Sequence, residues 1–178
     1  MRKTTMTTLS IYHRPHITQP VQQITTFTDI ASLLASAGIQ LEHWQTDAPP
    51  LDASNETILA QYHADIERLK QQEGYTSADV ISLTPDHAER LALREKFLQE
   101  HTHSEDEVRF FVRGSGSFFV PIGEQVFQLT CEAGDLLRVP ANTPHWFDCG
   151  EFPDFVAIRI FTNPEGWVGH FTGRETFH

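Results

Sequence analysis

A chain of 178 residues, 39% hydrophobic and 21% charged, fits one folded domain of ~100–200 residues and excludes both two full-sized domains and a disordered chain. Its 24 acidic against 13 basic side chains give a net charge of −11 with no Lys/Arg run, a balance that opposes binding to nucleic-acid phosphates or anionic lipid. Met1-Arg2-Lys3 precedes no apolar signal core of ~7–15 residues, and no segment reaches the ~18 apolar residues of a membrane span, so a cytoplasmic, soluble monomer is expected.

The chain divides by hydrophobic period. Thr28-Asp29 can cap a helix with Ile30, Leu33, Leu34 and Ala37 on one face, stopped by Gly38. A second helix is expected from Asn55-Glu56, burying Leu59, Tyr62, Ile66 and Leu69 and ending before Gly74. Thr84-Pro85-Asp86 supplies cap, first-turn proline and acidic first turn for a third, running to about Phe97. From residue 98 onward, short segments rich in Phe, Val and Ile alternate with Gly-containing turns at Gly114, Gly116, Gly123 and Gly134. The expectation is a single domain over 1–178, mainly β. Residues 1–97 form a mostly helical portion packed on a β-rich core at 98–170, an antiparallel sandwich or barrel.

The chemistry concentrates where the period changes. His101-Thr102-His103 places two imidazoles two residues apart, on one face of an extended chain and close enough to grip one ion. Glu107 then leads an alternating run in which it shares a face with Arg109, opposite Val108, Phe110 and Val112. Downstream, Gly134 to His145 reads as a strand, a tight turn and a further histidine. His13, His16, His43, His63, His87, His170 and His178 show no ligand spacing and are expected to be solvated or capping residues. Cys131 and Cys149 form no CxxC and are read as packing thiols.

These two segments resemble the paired cupin motifs, HxH(x)3E(x)6G and G(x)5PxG(x)2H(x)3N. The first matches at His101, His103, Glu107 and Gly114, the second at Gly134, Pro140 and His145. Glu95, Asn142 and Cys149 stand where the motifs have glycine, glycine and asparagine. Asn142 can still adopt the left-handed conformation that a glycine there would take. Within the cupins, Lys96-Phe97-Leu98-Gln99-Glu100, Glu105-Asp106-Glu107-Val108-Arg109-Phe110-Phe111-Val112, Pro144-His145-Trp146-Phe147-Asp148 and Arg159 to Trp167 resemble the bacterial acireductone dioxygenases. The likeness runs from about residue 80 to the end and, more weakly, into the first half.

The resemblance implies a cupin β-barrel or jelly roll with one metal ion per chain, held by His101, His103, Glu107 and His145. Such a donor set suits Fe(II), Ni(II), Co(II) or Mn(II) and leaves two positions of an octahedral ion open to a chelating substrate. The family acts with Fe(II) or Ni(II), and its substrates are O₂ and acireductone, 1,2-dihydroxy-3-keto-5-methylthiopentene, formed in methionine salvage. A divalent ion with Glu107 carries one positive charge, so a bound dianion calls for a further cation, and Arg109 is placed to supply it. Arg159 is a candidate for substrate contact or for support behind it. Phe97, Phe147 and Trp167 match family positions that line the methylthioethyl tail. The alternatives are another cupin metal dioxygenase or isomerase, and a non-enzymatic cupin that binds a small molecule.

Overall fold

The structure, a computed structural model, describes residues 6–15 and 17–178, so Met1-Arg2-Lys3 and His16 lie outside the described residues. Alternation of apolar side chains builds two five-stranded antiparallel sheets. The first runs in the order Trp146–Asp148 (β10), Gly116–Ile122 (β7), Gln125–Cys131 (β8), Thr8–His13 (β1) and Gln22–Ile24 (β2). The second runs Gln40–His43 (β3), Asp135–Val139 (β9), Glu107–Arg113 (β6), Phe155–Phe161 (β11) and Ser77–Leu83 (β4). A two-stranded ribbon of His101–Thr102 (β5) and His170–Phe171 (β12) completes the β-structure.

The inner faces of both sheets meet in one core, where Leu9, Phe118, Phe127 and Leu129 pack with Phe111, Leu137, Val139 and Ala157. The outer face of the second sheet, with Val108, Phe110, Val112, Ile158 and Ile160, is covered by Trp44, Ile58, Tyr62, Ile66 and Leu69. These come largely from helices Asn55–Gln61 (α2) and His63–Glu73 (α3). Helix Phe27–Ser36 (α1) buries Ile30 and Leu34 in the inner core, and Arg90–Phe97 (α4) leads into the ribbon.

One correction concerns residues 1–97. They are not simply a helical layer on a finished sheet: β1 and β2 extend the first sheet, and β3 and β4 form the two edges of the second. Thr8-Leu9-Ser10-Ile11 alternates like a strand, and β1 pairs with β8 along its whole length, covering an edge that would otherwise expose unpaired backbone. Two helices also differ. The second breaks at Tyr62, whose φ and ψ are −102° and 15°, so α2 and α3 are separate although the buried stripe continues through both. Thr84-Pro85-Asp86 forms a turn closed by Thr84 Oγ1 donating to Asp86 at 2.6 Å, and α4 starts only at Arg90. Gly74 caps α3 at φ +83° and Asn142 takes φ +62°, as their positions in the sequence require. At Gly114, φ is +75° and a Cβ would lie 1.9 Å from the Asp154 carbonyl oxygen, so only glycine lets β6 turn beside β11.

Candidate metal centre

The ribbon and one end of the second sheet bring four side chains to a point. His101 lies on β5, His103 just beyond it, Glu107 at the first position of β6, and His145 immediately before β10. His101 and His145 are locked together by reciprocal backbone bonds of 3.0 Å, and Asn142 N–H donates to the His103 carbonyl at 2.8 Å, so the second motif's turn is laced to the first motif's loop. The four side chains are buried, and one donor atom from each lies within 4.8 Å of the others.

The rings are oriented by main chain. Nδ1–H of His101 donates to the Gln99 carbonyl at 2.7 Å, that of His103 to Val168 at 3.1 Å and that of His145 to Thr143 at 2.9 Å. Nε2 is therefore the nitrogen each ring has free of main chain, and those of His145 and His103 stand 2.6 and 3.3 Å from Glu107 Oε2; burial opposes protonation of His145, but Glu107 outweighs it and raises that pKa. Burial, aided by the neighbouring His145, pushes the His101 pKa down to about 4, which keeps that imidazole neutral. Burial opposes the ionisation of Glu107, yet His145, Arg109 and His103 outweigh it and hold the carboxyl well below its ordinary range. Three oriented imidazoles and one ionised carboxylate fit a divalent transition metal by donor chemistry and by the arrangement behind the donors.

The centre opens into a cavity of about 580 Å³ lined by the four residues, Arg109, Arg159, Phe97, Phe147 and Trp167, so every residue singled out in the sequence reaches one site. Arg109 is two positions along β6 from Glu107 on the inward face, with its Nη2 3.3 Å from Glu107 Oε1 and its buried Nε without a partner. Its guanidinium is walled by aromatic rings, 5.3 Å from Phe147, 5.7 Å from Phe118 and 6.0 Å from Trp167. Arg159 stands directly across from Arg109 in the sheet and therefore faces inward, but Asp79 of β4 holds it by two bonds while its guanidinium lies 4.8 Å over Trp167. Phe97 and Phe147, with ring centroids 6.1 Å apart, add an aromatic pair to the cavity lining.

Several contributors escaped the sequence reading. Ile81, Ser82 and Leu83 of β4 line the cavity, and Asp79 anchors Arg159; none has a local spacing that ties it to the ligands. Glu105 accepts from the Asn163 backbone N–H at 3.1 Å and fixes the 3₁₀ turn Pro164–Trp167 over the cavity. Gly116 gives Phe147 its place, since a Cβ there would lie 2.3 Å from the ring. Leu93 and Lys96 join Phe97 on one face of α4, a helical spacing that was available in the sequence. Among the histidines outside the centre, His87 caps by accepting from Glu89 N–H, whereas His43 is tied at 3.0 Å to the buried carboxylate of Asp135. Cys131 and Cys149 are free and buried.

Residues 8–169 match the model of the ARD/ARD' family. The chain belongs to that family. It is 93% identical to acireductone dioxygenase 1 of Pectobacterium atrosepticum over 97% of this chain and all of that protein. It is 52% identical to the acireductone dioxygenase of Pseudomonas paraeruginosa over 96% of this chain and 94% of the relative. Among solved structures, the acireductone dioxygenase from Bacillus anthracis with a cadmium ion in its active centre superposes with a TM-score of 0.81 at 31% identity, covering 93% of this chain and 98% of that one. A metal ion thus sits in the active centre of a family member that shares this two-sheet fold. No helix among the described residues is long and apolar enough to cross a membrane.

Proposed function

We propose that the chain is an acireductone dioxygenase that binds one Fe(II) or Ni(II) ion through His101, His103, Glu107 and His145 and cleaves acireductone with O₂ as part of methionine salvage. The observation that carries this reading is the set of three imidazoles turned by backbone carbonyls, whose donor atoms converge with one carboxylate oxygen, beside an arginine with an unused buried N–H. A divalent ion held by these four residues would supply Lewis-acid activation of the substrate.

The chain's own residues supply charge balance and orientation. Glu107 reduces the ion's two positive charges to one, and a dianion then leaves the buried site one negative charge in excess. Arg109 restores neutrality from the same strand face, and its buried Nε–H is available to an enediolate oxygen. Arg159 is the support behind it: Asp79 offsets its charge, and its stacking on Trp167 steadies that ring against the cavity. The methylthioethyl tail fits the apolar wall of Phe97, Phe147, Phe155, Leu93 and Leu83, which also limits water. The negative net charge and the small buried site favour O₂ and a small molecule as the only partners, with the protein a cytoplasmic monomer that binds neither nucleic acid nor membrane.

Oxygen uptake tests the assignment. Fe(II)-loaded protein is expected to consume one O₂ for each acireductone, read on an oxygen electrode beside the loss of substrate absorbance. Protein stripped by a chelator is expected to consume none above the uncatalysed rate. Loaded protein that leaves both rates at the uncatalysed level returns the reading to a binding cupin without redox chemistry.

A further inference from the structure

The cavity inverts the charge of the molecule that contains it. The chain has 24 acidic and 13 basic side chains, yet the cavity lining carries Lys96, Arg109 and Arg159 against Glu107 alone. Arg109 and Arg159 lie inside, with side chains 12% and 25% exposed, and both already face a carboxylate. Lys96 is different. It is the one exposed charged group in the lining among the described residues, a lining that also includes the exposed Ser82, Pro164, Val168 and Phe171. The other cations of α4 are committed, Arg94 to Asp148 and Arg90 to the Glu151 carbonyl and the Phe152 ring. Lys96 has no salt-bridge or side-chain hydrogen-bond partner among the described residues. An exposed ammonium with no such partner thus borders the cavity.

We propose that Lys96 is the entry group of the site, drawing anionic substrate into the cavity against the repulsion of a strongly acidic protein. This rests on the proposed function in one respect, that the natural ligand is an anion. Fields of like sign from the surrounding acids slow the approach of such a ligand, and a lone cation at the mouth of a low-dielectric cleft focuses the local potential in the opposite sense. The effect belongs to the encounter and is screened within the Debye length of ~10 Å at 0.1 M salt. Lys96 thereby sets the rate of entry, whereas Arg109 sets how the bound anion is held.

The test is the association rate of 4-nitrocatecholate, a coloured anionic chelator, with the Ni(II)-loaded protein in stopped flow at low and high NaCl. Lys96→Met is expected to slow association about three- to tenfold at low salt and Lys96→Glu to slow it further, while Lys96→Arg retains the native rate. All variants are expected to converge at high salt, with dissociation rates and metal content unchanged. Equal association rates for Lys96→Met and native protein at low salt overturn the inference. So does a loss that appears in the dissociation rate and survives high salt, because that places Lys96 on the bound ligand. A loaded protein that takes up no catecholate overturns it too, since no anion is then being steered. Oxygen uptake with acireductone decides the proposed function separately, so the failure of one reading is distinguishable from that of the other.

Discussion

His145→Ala protein is expected to fold, to bind divalent metal at least about a hundredfold more weakly than the native chain, and to consume no oxygen with acireductone. The fold should survive because the interaction that ties this segment to β5 is main chain: His101 and His145 exchange two backbone bonds that an alanine keeps. What disappears is the Nε2 donor, the nearest partner of the buried Glu107 carboxylate at 2.6 Å. His101→Ala and His103→Ala should behave alike, since each leaves two imidazoles and one carboxylate from a set that converges as four. Elemental analysis of variants purified beside the native protein, with near-ultraviolet circular dichroism as the folding control, reads the result. Full occupancy in His145→Ala removes that residue from the centre.

Arg109→Ala separates substrate from metal. The guanidinium approaches Glu107 through one nitrogen and is not itself one of the four donors, so the variant is expected to keep its metal. Turnover should fall by at least about tenfold, since a hydrogen bond to a charged group is worth ~1.5–3 kcal/mol. Arg109→Lys should recover little of it. The planar guanidinium lies among Phe118, Phe147 and Trp167, and a lysine offers no planar fork to that wall. Native turnover in Arg109→Ala at unchanged metal content takes the charge-balancing role away from this residue.

The four candidate ligands were legible because their geometry is local. Residues two apart on an extended chain share a face, and the Glu107 to Val112 run alternates so regularly that its inward side, Glu107, Arg109 and Phe111, could be separated from the side covered by α2 and α3. His145 was legible through the turn before it, whose left-handed position Asn142 occupies. The strands of the first half were less so. β1 alternates and could have been read; β4 could not, because Ser77–Leu83 is half-buried along most of its length and shows no period. That gap hid Asp79, whose bond to Arg159 spans 80 residues and is created only by register across the sheet. Sequence spacing left Arg159 on either face, and its pairing with Arg109 in the register of β6 and β11 places it inward. Tyr62 hid the break between α2 and α3 for the opposite reason, since the apolar stripe runs through the break unchanged.

On the proposed function the protein sets orientation and the bound ion sets the products, because His101, His103, Glu107 and His145 would offer the same four donors to either metal. The most direct measurement strips one preparation of the chain, reloads it separately with Fe(II) and Ni(II), and supplies both with acireductone and oxygen. The Fe(II) form is predicted to give formate and 4-methylthio-2-oxobutanoate, and the Ni(II) form formate, carbon monoxide and 3-methylthiopropanoate. Both product sets account for every atom of one acireductone and one O₂. Keto acid and carbon monoxide quantified from the two forms decide the matter: a clean division between them is the predicted result, and the same products from both at comparable rates contradict the account.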